Sequence, residues 1–146
     1  MHEELQKALE LMRANDYTAV LTFGEITYHS DERSVRPLLD WLYSGNKFAG
    51  YRMCDKVVGR AAAFLMILLG VREIYADVIS EGAIKLLEEN NVTVNYGKAV
   101  PQILNDEKTG SHPLEDAVEG ITDANDSIMA IELTIKRMER MSVKKP

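Results

Sequence analysis

The sequence predicts a single α/β domain, a three-layer α/β/α sandwich built on a mixed five-stranded sheet. Three observations carry this reading. Strand-like and helix-like segments alternate from Lys47 to Tyr96, as they do where helices cover a sheet. The connections between the last three strands are helices long enough for crossovers, so strands three, four and five run parallel. Ahead of them, Gly24-Glu25 lies between two strand-like runs, a Gly-X hairpin signal that adds an antiparallel pair.

The elements follow in order. Leu5, Ala8, Leu9 and Met12 recur at helical spacing and give a first amphipathic helix, ended by Asn15-Asp16. Tyr17 to Phe23 is rich in β-branched and aromatic residues, and Ile26 to His29 returns after the turn. Ser34 is placed to cap a second helix, with Pro37 in its first turn and Val35, Leu38, Leu39 and Leu42 facing inward. Lys47 to Met53 reads as the third strand, and Lys56 to Leu69 as the most hydrophobic helix, stopped by Gly70. Val71 to Ile79 is the fourth strand, Ser80 the cap of a helix through Asn90, and Val92 to Tyr96 the fifth strand. The core thus occupies about residues 1–98, followed by a helical extension over about 99–141 and a tail over 142–146. The extension comprises a short helix over Ala99 to Leu104, a helix start at Ser111-His112-Pro113 broken by Gly120, and a last helix from about Asp123 to Met141. Ile128, Ile131, Ile135, Met138 and Met141 form an apolar stripe on that helix, suited either to the core or to a second copy of the chain.

Composition bounds the function. A chain of 146 residues can bury roughly 68–70% of its unfolded surface without disulfide or metal staples. The formal net charge is −6, and the basic residues are scattered apart from Lys136-Arg137, Arg140 and Lys144-Lys145. A basic last helical turn complements the helix dipole, so neither a nucleic-acid polymer nor a membrane is expected as a partner. The lone cysteine, Cys54, forms no intramolecular disulfide and fits a reducing compartment. The longest apolar run, Ala61 to Leu69, is shorter than the roughly 20 residues of a membrane span. The acidic N-terminus lacks a signal-peptide pattern, and a cytoplasmic location is expected.

The stretch Cys54-Asp55-Lys56-Val57-Val58-Gly59 holds the densest chemistry. Read as a strand-to-helix turn, it lies where open α/β sheets bind ligands, at a helix start with free N–H groups. Lys56 and Gly59 suggest an anion seat; packing is the competing explanation. Asp55 reads as an N-cap ahead of a catalytic acid. A thiol before a helix start and near Lys56 has its pKa lowered, which makes Cys54 a candidate nucleophile, although a single cysteine is commonly a buried small hydrophobe. Ser80, at the next helix start, and Lys98, after Tyr96-Gly97, would line the same edge. No Walker A loop is present.

Several blocks resemble a known family: Val35-Arg36-Pro37-Leu38-Leu39, Asp55-Lys56-Val57-Val58-Gly59, Val78-Ile79-Ser80-Glu81, Tyr96-Gly97-Lys98, and Gly110 with Pro113-Leu114-Glu115. Together they resemble a small prokaryotic family of unknown function with a cytidine-deaminase-like fold and no zinc site. The resemblance implies the same fold here. It also implies a cysteine before the proline, where this chain has His112, a candidate acid or base. Zinc deamination needs an H-x-E…P-C-x-x-C pattern. His29 and Glu32 are three apart and no Cys-x-x-Cys occurs, so neither zinc nor another cofactor is expected, and a remade site from Cys54, His29 and His112 lacks motif spacing. The leading expectation is a zinc-free domain binding a small anionic metabolite or nucleotide through Asp55, Lys56, Gly59, Ser80 and Lys98. A thiol enzyme using Cys54, and an oligomeric module joined through Asp123 to Met141, are the alternatives.

Overall fold

A computed structural model describes residues 1–144; 145 and 146, the end of the expected tail, lie outside the described residues. The elements are α1 (Glu3–Asn15), β1 (Ala19–Phe23), β2 (Ile26–Ser30), α2 (Arg36–Tyr43), β3 (Arg52–Val58), α3 (Arg60–Leu69), β4 (Glu73–Ser80), α4 (Glu81–Glu89), β5 (Thr93–Val100), α5 (Pro113–Ala117) and α6 (Ala124–Lys144). The five strands form one sheet in the order β2-β1-β3-β4-β5. β1 is antiparallel to both β2 and β3, whereas β3, β4 and β5 run parallel. The mixed α/β sheet and its parallel half agree with the sequence. Gly24 takes φ +59° in the hairpin turn, the sign that the first position of a Gly-X turn requires.

Helices cover both faces. On one side α1 packs Leu5, Ala8 and Met12 against Val20 and Cys54. On the other, α3 buries seven of its ten residues within the main core, together with Leu38 of α2, Leu87 of α4, Val118 and Ile131. The last two residues show that the C-terminal third belongs to this core. The first part of the expected stripe on α6 is used there: Ile131 is buried, and Ile128 and Ile135 pack against the cluster, whereas Met138 and Met141 stay exposed.

Four local expectations are corrected. The third strand begins at Arg52 because Phe48 to Tyr51 is a turn, closed by Tyr51 N–H donating to Phe48 O at 3.0 Å. It runs on through Val58, and α3 starts four residues later than its sequence suggested, with Gly59 as N-cap. Ala99 to Leu104 forms no helix: β5 continues to Val100, and Leu104 makes an isolated bridge to Ser111. Ser34 does not cap α2, whose N-cap is Val35 without a side-chain bond.

At the opposite end of the parallel strands, Arg52 ties the layers together. Its Nη1 donates to Glu4 Oε2 at 2.7 Å and its Nε to Glu73 Oε1 at 2.9 Å. Glu73 also accepts from Asn95 Nδ2 at 3.0 Å, and Glu4 Oε1 accepts from the Gly24 N–H. One guanidinium therefore joins α1, β3 and β4, and through its carboxylates reaches the hairpin and β5. Burial alone would raise the Glu73 carboxyl; the hydrogen bonds from Asn95 and Arg52 outweigh it and hold the group below its usual range. Removing one member of a buried charge network costs about 3–5 kcal/mol, because its partners stay buried. Arg52→Ala is expected to lower stability by about 3 kcal/mol in urea unfolding at neutral pH, with Arg52→Lys recovering part of it. A change below about 0.5 kcal/mol would mean that the network is solvated.

Candidate functional site

The turn that looked like a site in the sequence lies inside a strand. Cys54, Asp55 and Lys56 are mid-β3 residues that face different ways. Cys54 is fully buried under α1, with its Sγ 3.6 Å from Leu5 O. Burial, and then the charges of Asp55 and Asp77, push its thiol up to about 12. The lowered pKa expected for a thiol at a helix start is therefore reversed. Lys56 does not reach the α3 N-terminus; its Nζ lies 3.3 Å from Asp16 Oδ1, beyond the end of α1. Asp55 caps no helix. It shares its ladder rows with Ala19 and Ala76, both buried in the main core.

An irregularity at this row explains the misreading. No ladder pair joins Lys56 to Asp77, or Asp77 to Gly97, although pairing resumes on both sides. Met53 and Val58 both reach the main core, as do Ile74 and Ile79, so the two-residue alternation slips by one across the row. Asp55 Oδ1 accepts from the Lys56 N–H at 2.8 Å here, while Oδ2 is buried without a partner. Burial pushes the Asp55 carboxyl up to about 8; the Lys56 N–H opposes the shift and Asp77 adds to it.

The N-terminus of α3 has an unexpected occupant. Gly59 supplies no side chain to cap it, and the first N–H groups of a helix have no intrahelical acceptor. Glu115 of α5 fills the gap: Oε1 accepts from Arg60 N at 2.7 Å and Oε2 from Ala61 N at 3.0 Å. A Cβ on Gly59 would stand 2.4 Å from that carboxyl group. Glycine leaves room for this close approach; its conformation does not call for it, since φ of −102° and ψ of −171° are extended values open to any residue. The Arg60 side chain completes a clasp, donating Nη1 to Val118 O at 3.2 Å and Nη2 to Ile121 O at 2.9 Å while lying over the Phe64 ring.

Two cavities flank Glu115 at the carboxyl ends of the parallel strands. One, of about 280 Å³, lies between the starts of α2 and α3 and is lined by Ser34, Val57, Gly59, Asp106, His112 and Glu115 among others. Ser34 holds φ +58° at its rim, a strained value for a residue with a side chain. His112 is the N-cap of α5: Nδ1 accepts from Leu114 N at 3.1 Å, which puts the proton of the neutral ring on Nε2. The other cavity, of about 290 Å³, is bordered by Arg60, Ser80, Gly82, Asp116 and Glu119. Ser80 does cap α4, its Oγ accepting from Ala83 N at 3.1 Å. Lys98, on the outer strand β5, borders neither. A larger trough between α4 and β5, lined by Ile84, Lys85, Glu88 and Tyr96, is an open surface away from the helix starts and brings no such donor set together. Among the described residues no three His, Cys, Asp or Glu side chains converge as metal ligands. His29 instead stacks on Tyr17, with centroids 4.0 Å apart. Of the residues singled out in the sequence, Gly59 and His112 thus share a cleft; Cys54, Asp55, Lys56, Ser80 and Lys98 do not line it.

Two measurements follow. An acid raised by burial stays protonated in the folded chain while it ionises in the unfolded one, so its favourable contribution is complete below about pH 4. For Asp55 that contribution is lost as pH rises towards about 8. The difference in stability between the wild type and Asp55→Asn is expected to slope across this window, by at most about 1.4 kcal/mol per pH unit, and to be flat above it. A difference flat from pH 5 to 8 would mean that Asp55 is ionised at its site. Separately, Gly59→Ala is expected to cost about 2–4 kcal/mol by expelling the Glu115 carboxylate from two charge-assisted bonds. In a Glu115→Ala background the same change is expected to cost almost nothing, and equal costs in both backgrounds would remove the contact from the account.

Comparison with known proteins places this geometry in a family. Residues 7–135 match the family model described as TM1506, domain of unknown function (DUF1893). A crystal structure of a DUF1893 family protein (TM1506) from Thermotoga maritima, at 2.70 Å resolution, superposes with a TM-score of 0.81 at 22% identity, covering 94% of this chain and 92% of that one. No functionally curated protein matches the sequence. At that identity the superposition speaks for the fold alone, while the family match spans most of the chain: the protein belongs to the DUF1893 family.

Proposed function

We propose that this chain is a small-molecule-binding domain of cytidine-deaminase-like architecture without its zinc site, and that its ligand sits in the cleft between the starts of α2 and α3. The observation carrying this reading is the Glu115 carboxylate, held by Arg60 N–H and Ala61 N–H at the rim of a cavity that His112, Asp106 and Ser34 also line. Open α/β sheets bind ligands at this end of their strands. The seat no longer selects an anion. A helix N-terminus carries about half a positive charge, and a whole carboxylate now stands on it. Both carboxylate oxygens keep a lone pair, and the His112 ring offers an N–H. The ligand class that fits is a neutral, polar heterocycle bearing amino or amide groups, which donates to Glu115 and accepts from His112.

The anionic metabolite or nucleotide expected from the sequence remains a second reading. It is favoured by the two N–H groups themselves, which suit a phosphate or carboxylate once Glu115 withdraws. Thiol chemistry at Cys54 gains nothing from the geometry, since the sulfur is fully buried and its pKa is raised.

The test is thermal stabilisation of the full chain by two sets of compounds, amino- or amide-bearing heterocycles and simple phosphates and carboxylates. Heterocycles are expected to raise the Tm of the wild type and to lose that effect in Glu115→Ala and His112→Ala. Phosphate or acetate is expected to stabilise Glu115→Ala and to leave the wild type unmoved. The reading fails if no heterocycle acts, or if active compounds act equally on both variants. Phosphates that stabilise the wild type in a Gly59-dependent way would establish the second reading.

A further inference from the structure

We infer that α6 is a self-association surface on which a second copy of this chain packs antiparallel, about a two-fold axis at Leu133. The inward face of α6 is fully committed, with Ser127, Ile131 and Thr134 buried. Its flank is tied to α2 by Glu132 to Tyr43 and by Glu139 to Arg36. The outward face is different. Met129 and Leu133 are 72% and 51% exposed and stand one helical turn apart, with Lys136, Arg137 and Arg140 continuing the stripe. Paired large apolar side chains left on a helix surface mark a contact surface more often than isolated ones do.

Charge order identifies the occupant. The outward face begins acidic, at Asp126, and ends basic, at Lys136, Arg137 and Arg140. Among the described residues none of these four takes part in an ion pair within the chain. A helix with this polarity is complementary to itself only when reversed. Asp126 and Arg140 lie seven residues, about two turns, on either side of Leu133. An antiparallel partner centred on Leu133 therefore sets each Asp126 against the partner's Arg140, twice by symmetry. The same register lays Met129 along the partner's Arg137 and Ala130 along the partner's Lys136, whose aliphatic stems cover apolar surface while the charged heads stay in water. A parallel arrangement would set like against like along the whole helix. Two-fold pairing of one surface is also the commonest solution for soluble oligomers. Of the stripe that the sequence left open to the core or to a second copy, Ile128, Ile131 and Ile135 have no part in it, because they pack in the main core.

Sedimentation equilibrium of the full chain tests the surface, and the exposed positions used leave the core intact, as wild-type melting temperatures will show. The wild type is expected to be a dimer. Asp126→Arg and Arg140→Asp are each expected to weaken dimerisation about tenfold or more by facing like charges, and the double exchange to restore it. Leu133→Cys, lying on the axis, is expected to form a disulfide between two copies on mild oxidation, while Met129→Cys is not. A wild type that stays monomeric at every accessible concentration overturns the proposal. So does a dimer indifferent to both single reversals, or one that the double exchange fails to restore.

Discussion

The clasp between α3 and the segment after β5 is the contact on which the C-terminal third depends. Two groups act in opposite directions across one gap. Glu115 sends a carboxylate into the first turn of α3, and Arg60 sends a guanidinium out to the carbonyls of Val118 and Ile121. Both interactions are charge-assisted, the stronger class of hydrogen bond. They fix a helix of only five residues, far below the length at which a helix holds itself in water. With α5 fixed, Leu114 and Val118 enter the main core, and α6 can lie along α3. The sequence separation of 55 residues between Arg60 and Glu115 makes this a contact that local propensity could not supply.

The sheet settles a different problem. β3 is central, with β1 on one side and β4 on the other, yet it carries Arg52, Asp55 and Lys56. Each is accommodated by a separate device. Arg52 is neutralised by Glu4 and Glu73. Lys56 extends past the end of α1, keeping its ammonium partly in water beside Asp16. Asp55 has neither a cation nor an exit, and the protonated form is the cheaper state because an unpaired buried carboxylate costs far more than a neutral acid. The slip in alternation at this row is the backbone counterpart: Asp55 bonds the next N–H where the ladder has no pair.

Much of this architecture was legible. The parallel half of the sheet followed from crossover-length helices, and the α1, α4 and α5 starts from Met12-spaced apolar residues, Ser80, and Pro113 behind His112. The largest error lay in the strand and helix on either side of Cys54; the expected Ala99–Leu104 helix and the Ser34 cap failed as well. Asp and Lys in sequence look like a turn because an exposed turn is their usual place, and period-two reading fails where the alternation slips. Gly59 was singled out as part of a seat for an anion from outside, whereas the carboxylate beside it is the chain's own Glu115. Glu115 was visible only as an acidic residue favourable to its own helix dipole; nothing in its neighbourhood points to a helix start so distant in sequence. The apolar stripe of α6 was equally clear as a pattern, whereas its direction, inward onto α3, depends on a clasp that no local window contains.

The clasp also bears on the ligand proposed for the cleft. An anion reaches the amides of Arg60 and Ala61 only after Glu115 leaves, and either way out costs stability. Glu115 sits on the same short helix as Leu114, with Val118 directly after, and both are buried; Arg60 holds the carbonyls of Val118 and Ile121. Swinging the carboxylate away by a change of rotamer breaks two charge-assisted bonds, while moving the helix exposes two apolar side chains at about 1.5–3 kcal/mol each. An anionic ligand must exceed that cost before it gains any net affinity. A ligand that donates to the carboxylate where it stands begins with the clasp intact, and its binding energy is added to the fold instead of being drawn from it. On these magnitudes the proposed site favours the donor-bearing molecule over an anion for as long as Glu115 stays in place.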